Sequence, residues 1–455
     1  MNLELKVPSD NLKNRIAILI LFVAGILFFG LNDVAFVYAL IVFSVMFILN
    51  VDYSLGTIMS CYFLIPADYY PFMQVPSPLG NLPLYVVLYA GFIAISLIRF
   101  ALRYGTIEID RYLFIAFILL LFGEIICSAL YDASTILPSA VKFFFQMFGM
   151  MFLVKLRELK REDFKKIYQL IFILICMTIF VAIQESMFGY NVYNIFGSEI
   201  NSARYDWNHS INSIWRSTAT FGNSLVFSCS LIMCFPVLEY YRKEAKFPTL
   251  VYTALTILAV GTILSGSRSG IFGCVLYVGY LLIKNRRGLI GAIVIIPACL
   301  YLVFSYVDTS AILSRFTTQG ISSAHRANAY TLFFDVFLKY PIFGTGIGRS
   351  YAVLSEYISS TFVTNTFDNT LFDGALTFGI WGIFALFLAF SGVYKKIKWN
   401  TDKKEMLFVI LCFTYISLFL NAIKYQSLWG MLWFYIAVSY YMDDDCQEAN
   451  NQEVG

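Results

Sequence analysis

The sequence predicts an all-α polytopic membrane protein, and three of its features carry that prediction. Of its 455 residues, 59% are hydrophobic and only 13% are charged, whereas soluble domains carry roughly a quarter charged residues. Apolar runs long enough to cross a bilayer, about 17 to 25 residues each, recur from residue 16 to residue 442. The runs are continuous and lack the alternation of an outer-membrane barrel, so helices are what satisfies their backbone in lipid.

Taken in order, the spans fall near 16–31, 34–50, 55–66, 84–102, 112–130, 138–154, 167–188, 223–239, 249–265, 270–283, 289–306, 371–393, 406–423 and 427–442. That gives about 12 to 14 transmembrane helices in a single integral membrane domain over residues 1–455. The first run follows Lys13 and Arg15 as a secretory signal would. No small-residue cleavage site separates it from the next run, so it is read as a retained first span. Basic residues then orient the chain, because short Lys/Arg-rich connections stay cytoplasmic. Twenty-three of the 32 basic residues sit in the amino-terminal segment or in connections around 99–111, 155–166, 242–246, 284–287 and 395–404. All fall on one side if both termini are cytoplasmic, as in a polytopic protein of inner-membrane type.

A net charge of +3 without a basic tail excludes nucleic acid as a partner. Nine cysteines show no CxxC pair or ligand spacing and read as packing residues. His209 and His325 are isolated, so neither a metal site nor a cofactor is expected.

Nine basic residues lie off the cytoplasmic set: Lys142, Arg204, Arg216, Arg268, Arg315, Arg326, Lys339, Arg349 and Lys424. Six are arginines, although the cytoplasmic set is mostly lysine. Arginine binds phosphate and carboxylate through a rigid, bidentate fork, whereas a charge placed for topology alone can be lysine. The cluster therefore points to an anionic ligand at the outer face. The competing reading pairs these arginines with Asp206, Asp308, Glu356 and Asp368 on a solvated surface. Arg268 stands apart, because it lies in the hairpin Ser265-Gly266-Ser267-Arg268-Ser269-Gly270 between two spans, where charge near the bilayer is costly and usually functional. Lys142 and Glu124, both within spans, are expected to pair with each other.

Two extracytoplasmic loops are large, 189–222 and 307–370, and both are rich in Tyr, Trp, Asn, Ser and Thr, with Tyr330 and Tyr340 among them. Aromatic faces stack on sugar rings, so a glycan suits them; an ordinary interfacial aromatic belt accounts for them equally. In the second loop, Ala329, Leu332, Phe333, Val336 and Phe337 form the stripe of an amphipathic helix. Pro341 stops it, and Gly344, Gly346 and Gly348 permit a tight turn whose amides, beside Arg349, would hold a phosphate oxygen.

Four segments together resemble the O-antigen ligase and polymerase superfamily, over roughly residues 210–390. They are Arg216-Ser217-Thr218-Ala219-Thr220-Phe221-Gly222-Asn223, the Ser267-Arg268-Ser269-Gly270 hairpin, Arg326 followed by Tyr340 to Gly348, and Asp368-Asn369-Thr370-Leu371 leading to Phe378-Gly379-Ile380-Trp381-Gly382. The resemblance implies a membrane glycosyltransferase that takes glycan from undecaprenyl diphosphate. Ligases of the family typically carry His-Asn where this chain has Asp368-Asn369, so the resemblance leans toward the polymerases of O-antigen, capsule and exopolysaccharide. It implies catalytic roles for Asp368, Arg268 and Arg326, and substrate contacts for Arg216, Arg349, Asn369 and Tyr330, without metal or cofactor. Asp368 is the candidate base, since burial near lipid raises a carboxylate toward a useful range, with Asp373 one turn on as its substitute. The bland alternative for Asp368 is a salt bridge to one of the arginines. Expected partners are the lipid-linked oligosaccharide, membrane lipid, and a chain-length regulator and flippase of the same pathway. The alternatives are a ligase, disfavoured by the missing histidine, and a flippase, disfavoured by the absence of internal repeats and of charges at mid-membrane.

Overall fold

In the structure, a computed structural model, residues 10–29, 33–64, 74–77, 80–104, 111–157, 159–189, 191, 217–244, 248–284, 332–356, 369–396, 402–418, 420, 425 and 427–438 are described. Helices dominate them: α1 (Asp10–Phe29), α2 (Asp33–Leu49), α3 (Tyr53–Leu64), α4 (Leu84–Tyr104), α5 (Arg111–Leu130), α6 (Ala133–Arg157), α7 (Arg161–Phe188), α8 (Ser224–Glu244), α9 (Pro248–Leu264) and α10 (Arg268–Lys284). There follow a short α11 (332–337), α12 (Ser350–Ser355), α13 (Thr370–Lys396), α14 (Asp402–Ser417) and α15 (Ser427–Val438). α5, α6, α7 and α13 are long and apolar enough to cross a membrane. Each predicted span except 289–306, which lies outside the described residues, coincides with one of these helices. Of the expected amphipathic helix, residues 332–339 are described, and 332–337 are helical.

Three details depart from the prediction. An antiparallel hairpin, β1 (Gln74–Ser77) with β2 (Gly80–Pro83), joins α3 to α4. α6 begins five residues before the predicted span because Asp132 caps it, its Oδ1 accepting the Ser134 amide at 3.0 Å. α14 ends at Ser417 rather than near 423, and the Leu420 carbonyl beyond it accepts from Thr370 Oγ1 at 2.7 Å.

Polar contacts sort the helix ends into two faces. On the face of the basic connections, Asn14 donates to the Val51 carbonyl, and Asp52 receives Nε (2.8 Å) and Nη2 (2.5 Å) of Arg157. That guanidinium also lies over the Tyr53 ring. Burying both members of an ion pair is tolerable only with such extra partners. Between the faces, Phe143, Phe148, Phe390, Trp429 and Trp433 pack rings across α6, α13 and α15.

The feature that shapes the opposite face is a break in α13. Gly379 adopts φ 61°, ψ −169°, a conformation open essentially to glycine alone. The break leaves main-chain groups without helical partners, and the segment after α11 fills them. Ile380 and Trp381 donate to the carbonyls of Pro341 and Ile342 at 2.9 and 3.0 Å, while Thr345 and Gly346 donate to those of Leu376 and Thr377 at 2.9 and 3.0 Å. Trp381 adds an indole bond to the Leu119 carbonyl of α5 at 2.8 Å. A Cβ at Gly379 would meet the Ile342 carbonyl, and one at Gly344 the Thr377 carbonyl. Gly379→Ala is therefore expected to lose about 1–3 kcal/mol from backbone strain alone, read as a lower melting temperature and lower yield of monodisperse detergent-solubilised protein.

Candidate functional site

The face opposite the basic connections gathers the segments that the sequence singles out. Main-chain and side-chain bonds link them in series. Ser217 donates its amide to the Leu264 carbonyl (3.1 Å), tying the 216–223 motif to the 265–270 hairpin. Tyr415 of α14 donates to the Ser269 carbonyl (3.0 Å). Thr370 reaches the segment after α14, as above, and Asp373 Oδ1 accepts from Ser350 Oγ (3.3 Å), joining α13 to α12 and the glycine turn.

Among the candidate arginines, Arg349 is the one whose side chain is described. Its guanidinium carbon stands 4.3 Å from the centroid of the Tyr131 ring, and Tyr340 meets the same ring edge-on at 5.6 Å. Nη1 is buried with no hydrogen-bond partner among the described residues. Burial raises the Tyr131 phenol above its ordinary value, which keeps the ring neutral. Hydrogen bonds from Thr135 and Ser134 hold the neighbouring Asp132 below the usual carboxylate range.

Gly344, Gly346 and Gly348 have φ of 76°, 82° and 84°, so the tight turn forms where three alternating glycines predict it. Three of its amides already have partners within the protein. Those of Thr345 and Gly346 are spent on α13, and that of Ile347 donates to Oε2 of Glu124 at 3.0 Å. The first two complete the broken helix. Glu124 thus accepts from the Ile347 amide. In the Arg349 side chain, Nη1 has no hydrogen-bond partner among the described residues.

The remaining candidates divide as follows. Arg268 is the first residue of α10, next to Ser267, whose hydroxyl pairs with that of Ser269 at 2.6 Å. Asn369, expected to touch substrate, is buried and caps α13, its Oδ1 accepting the amides of Leu371 (2.9 Å) and Phe372 (3.3 Å). Asn223 caps α8 in the same way. Asp373 is buried close by. Arg216, Arg326, Tyr330 and Asp368, with most of the two large loops, lie outside the described residues.

One residue of this face had no forewarning in the sequence. Glu185, wholly buried near the end of α7, receives the amides of Thr218 and Ala219 (both 2.8 Å), the Thr218 hydroxyl (3.1 Å) and the Asn191 amide group (3.1 Å). A carboxylate so surrounded fixes the turn that follows Arg216. Its signal was a lone acid at the end of an apolar run, which on its own is also a common surface feature.

Residues 253–387 match the family model described as O-antigen ligase. The matched segment runs from α9 to α13 and includes Arg268, Arg326, Arg349, Asp368 and Asn369. It supports the resemblance to the O-antigen ligase and polymerase superfamily, while the 216–223 motif falls before it. No curated protein matches the chain.

Replacing Glu185 with leucine would strand three buried donors, the amides of Thr218 and Ala219 and the Thr218 hydroxyl, at about 1–3 kcal/mol for each group left unsatisfied. Glu185→Leu is expected to abolish accumulation of folded protein in membranes, and Glu185→Gln to recover part of it, as read by immunoblot and fluorescence size-exclusion.

Proposed function

We propose, from the premise that residues 253–387 match the O-antigen ligase family, that this chain is a repeat-unit polymerase of a surface polysaccharide. The donor is the growing glycan on undecaprenyl diphosphate, and the acceptor is a non-reducing-end hydroxyl of a fresh lipid-linked repeat unit. The acceptor oxygen attacks the anomeric carbon, the bond from that carbon to the diphosphate oxygen breaks, and the diphosphate departs with the electron pair. Displacement from an α-linked diphosphate inverts the anomeric centre.

The observation that carries this reading is Arg349, a half-buried guanidinium over Tyr131 with an unpartnered Nη1, on the face that also holds the start of α10 at Arg268. Negative charge grows on the leaving diphosphate in the transition state, and preorganised donors aimed at that charge are the largest single contribution such a site can make. Arg216, Arg268, Arg326 and Arg349 supply it without a metal ion. Asp368 takes the acceptor proton, with Asp373 as the alternative carboxylate. Asp368 stands where ligases of the family typically carry histidine, which favours polymerase. The family description itself favours the second reading, a ligase that moves finished glycan to an acceptor such as lipid A core.

Both readings place the reaction at the outer face of the bacterial cytoplasmic membrane, with both termini cytoplasmic and with a flippase and a chain-length regulator as pathway partners. Deletion in the native host, complemented by wild type, Arg268→Ala, Arg349→Ala or Asp368→Asn, tests them through the surface-polysaccharide ladder on a gel. The expected outcome is loss of the long ladder with single repeat units still exported, and failure of Arg268→Ala and Asp368→Asn to restore it. Full-length glycan retained on its lipid carrier would establish the ligase instead, and absence of exported glycan would identify a transporter.

A further inference from the structure

Arg349 belongs to a loop, yet what seats it comes from a helix outside the family-matched segment. Glu124, Cys127 and Tyr131 stand at i, i+3 and i+7 on α5 and its final turn, which the Tyr131 amide extends by donating to the Cys127 carbonyl at 2.9 Å. That spacing puts the three on one helical face. Each meets a different point of the loop. Glu124 Oε2 accepts the Ile347 amide at 3.0 Å, the Cys127 thiol donates to the Phe343 carbonyl at 3.4 Å, and the Tyr131 ring lies beneath the Arg349 guanidinium.

The third contact differs in kind from the first two. Attraction between a cation and the ring quadrupole occupies no hydrogen-bond acceptor, so it orients a guanidinium while leaving its N–H fork available to a tetrahedral oxyanion. The unpartnered Nη1 fits that arrangement. A carboxylate in Tyr131's place would hold the arginine as firmly and consume the same donors.

We propose that Tyr131 and Glu124 are positioning residues of the diphosphate site: α5 fixes the loop through Glu124 and presents the Arg349 fork to the diphosphate oxygens of the lipid carrier through the Tyr131 ring. This rests on the assignment of Arg349 to diphosphate binding, and the two separate experimentally. The test uses full-length protein in lipid nanodiscs with inorganic pyrophosphate as the probe, measuring Kd and melting temperature together. Arg349→Ala is expected to weaken binding by about tenfold or more, the loss of charge-assisted hydrogen bonds. Tyr131→Leu is expected to weaken it by about three- to tenfold with the melting temperature unchanged, and Tyr131→Phe to rescue the loss because the ring face is retained. Glu124→Leu should act as Tyr131→Leu does, with rescue by Glu124→Gln, whose carbonyl still accepts from Ile347; if Glu124→Leu fails to fold, the Tyr131 variants decide. Wild-type affinity in Tyr131→Leu beside a weakened Arg349→Ala overturns the positioning role and leaves the diphosphate assignment standing. Wild-type affinity in Arg349→Ala overturns both, and a Tyr131→Leu loss that Tyr131→Phe does not rescue overturns the role of the ring.

Discussion

In a bilayer no water reaches the backbone, so a peptide group that leaves a helix must find a partner inside the protein. The break of α13 at Gly379 is where this chain meets that constraint most sharply, and the glycine turn answers it with four main-chain bonds. Much of the opposite face follows. The turn cannot stand away from α13, because its Thr345 and Gly346 amides complete the helix. It cannot carry a bulkier residue at 344, because the Thr377 carbonyl occupies the space. Arg349, three residues beyond Gly346, is therefore delivered to a fixed place over α5.

The same constraint acts at the other helix ends, with side chains standing in for backbone. Asp52, Asp132, Asn223 and Asn369 each accept amide protons from the first turn of the helix they precede. Glu185 does this for a turn rather than a helix, taking two consecutive amides after Arg216. Among the described residues, Asp52, Asp132, Glu124, Glu185, Asn223 and Asn369 are occupied by backbone donors and hold geometry, while the Arg349 guanidinium keeps a nitrogen in reserve.

That division explains what the sequence could and could not reveal. Apolar runs locate helices directly, because length and composition are what a bilayer selects, and the described helices fall where the runs do. The positive φ of Gly344, Gly346 and Gly348 was legible for the same reason, since alternating glycine after proline has few other uses. The fate of the turn's amides was not legible. Their partners lie some thirty residues on, at Leu376 and Thr377, and a main-chain bond leaves no mark in residue identity. Asn369 shows a role the motif did not suggest: the start of an apolar helix demands a cap, and its Oδ1 supplies it. Glu124 has a partner that the sequence did not suggest, because a buried amide 223 residues away leaves no mark in the pattern of charges.

The contrast between the arginine loop and its seat bears on where function is recorded in such a chain. The loop demands glycine at several positions and arginine at one, requirements that few other residues meet. Its seat on α5 demands only an acceptor at 124, a small side chain at 127 and a ring face at 131, spaced as a helix spaces them. Several residue types would serve at each, so the seat imposes a weaker pattern than the loop it supports. Residues 253–387 contain the loop and the broken helix but neither α5 nor α7. The matched segment therefore holds a donor, Arg349, whose orientation is set from outside it by Tyr131 and Glu124, while the turn after Arg216, itself outside the segment, is held by Glu185. A fragment limited to the matched segment would keep Arg349, lose Arg216, and lose the surface on α5 that aims Arg349.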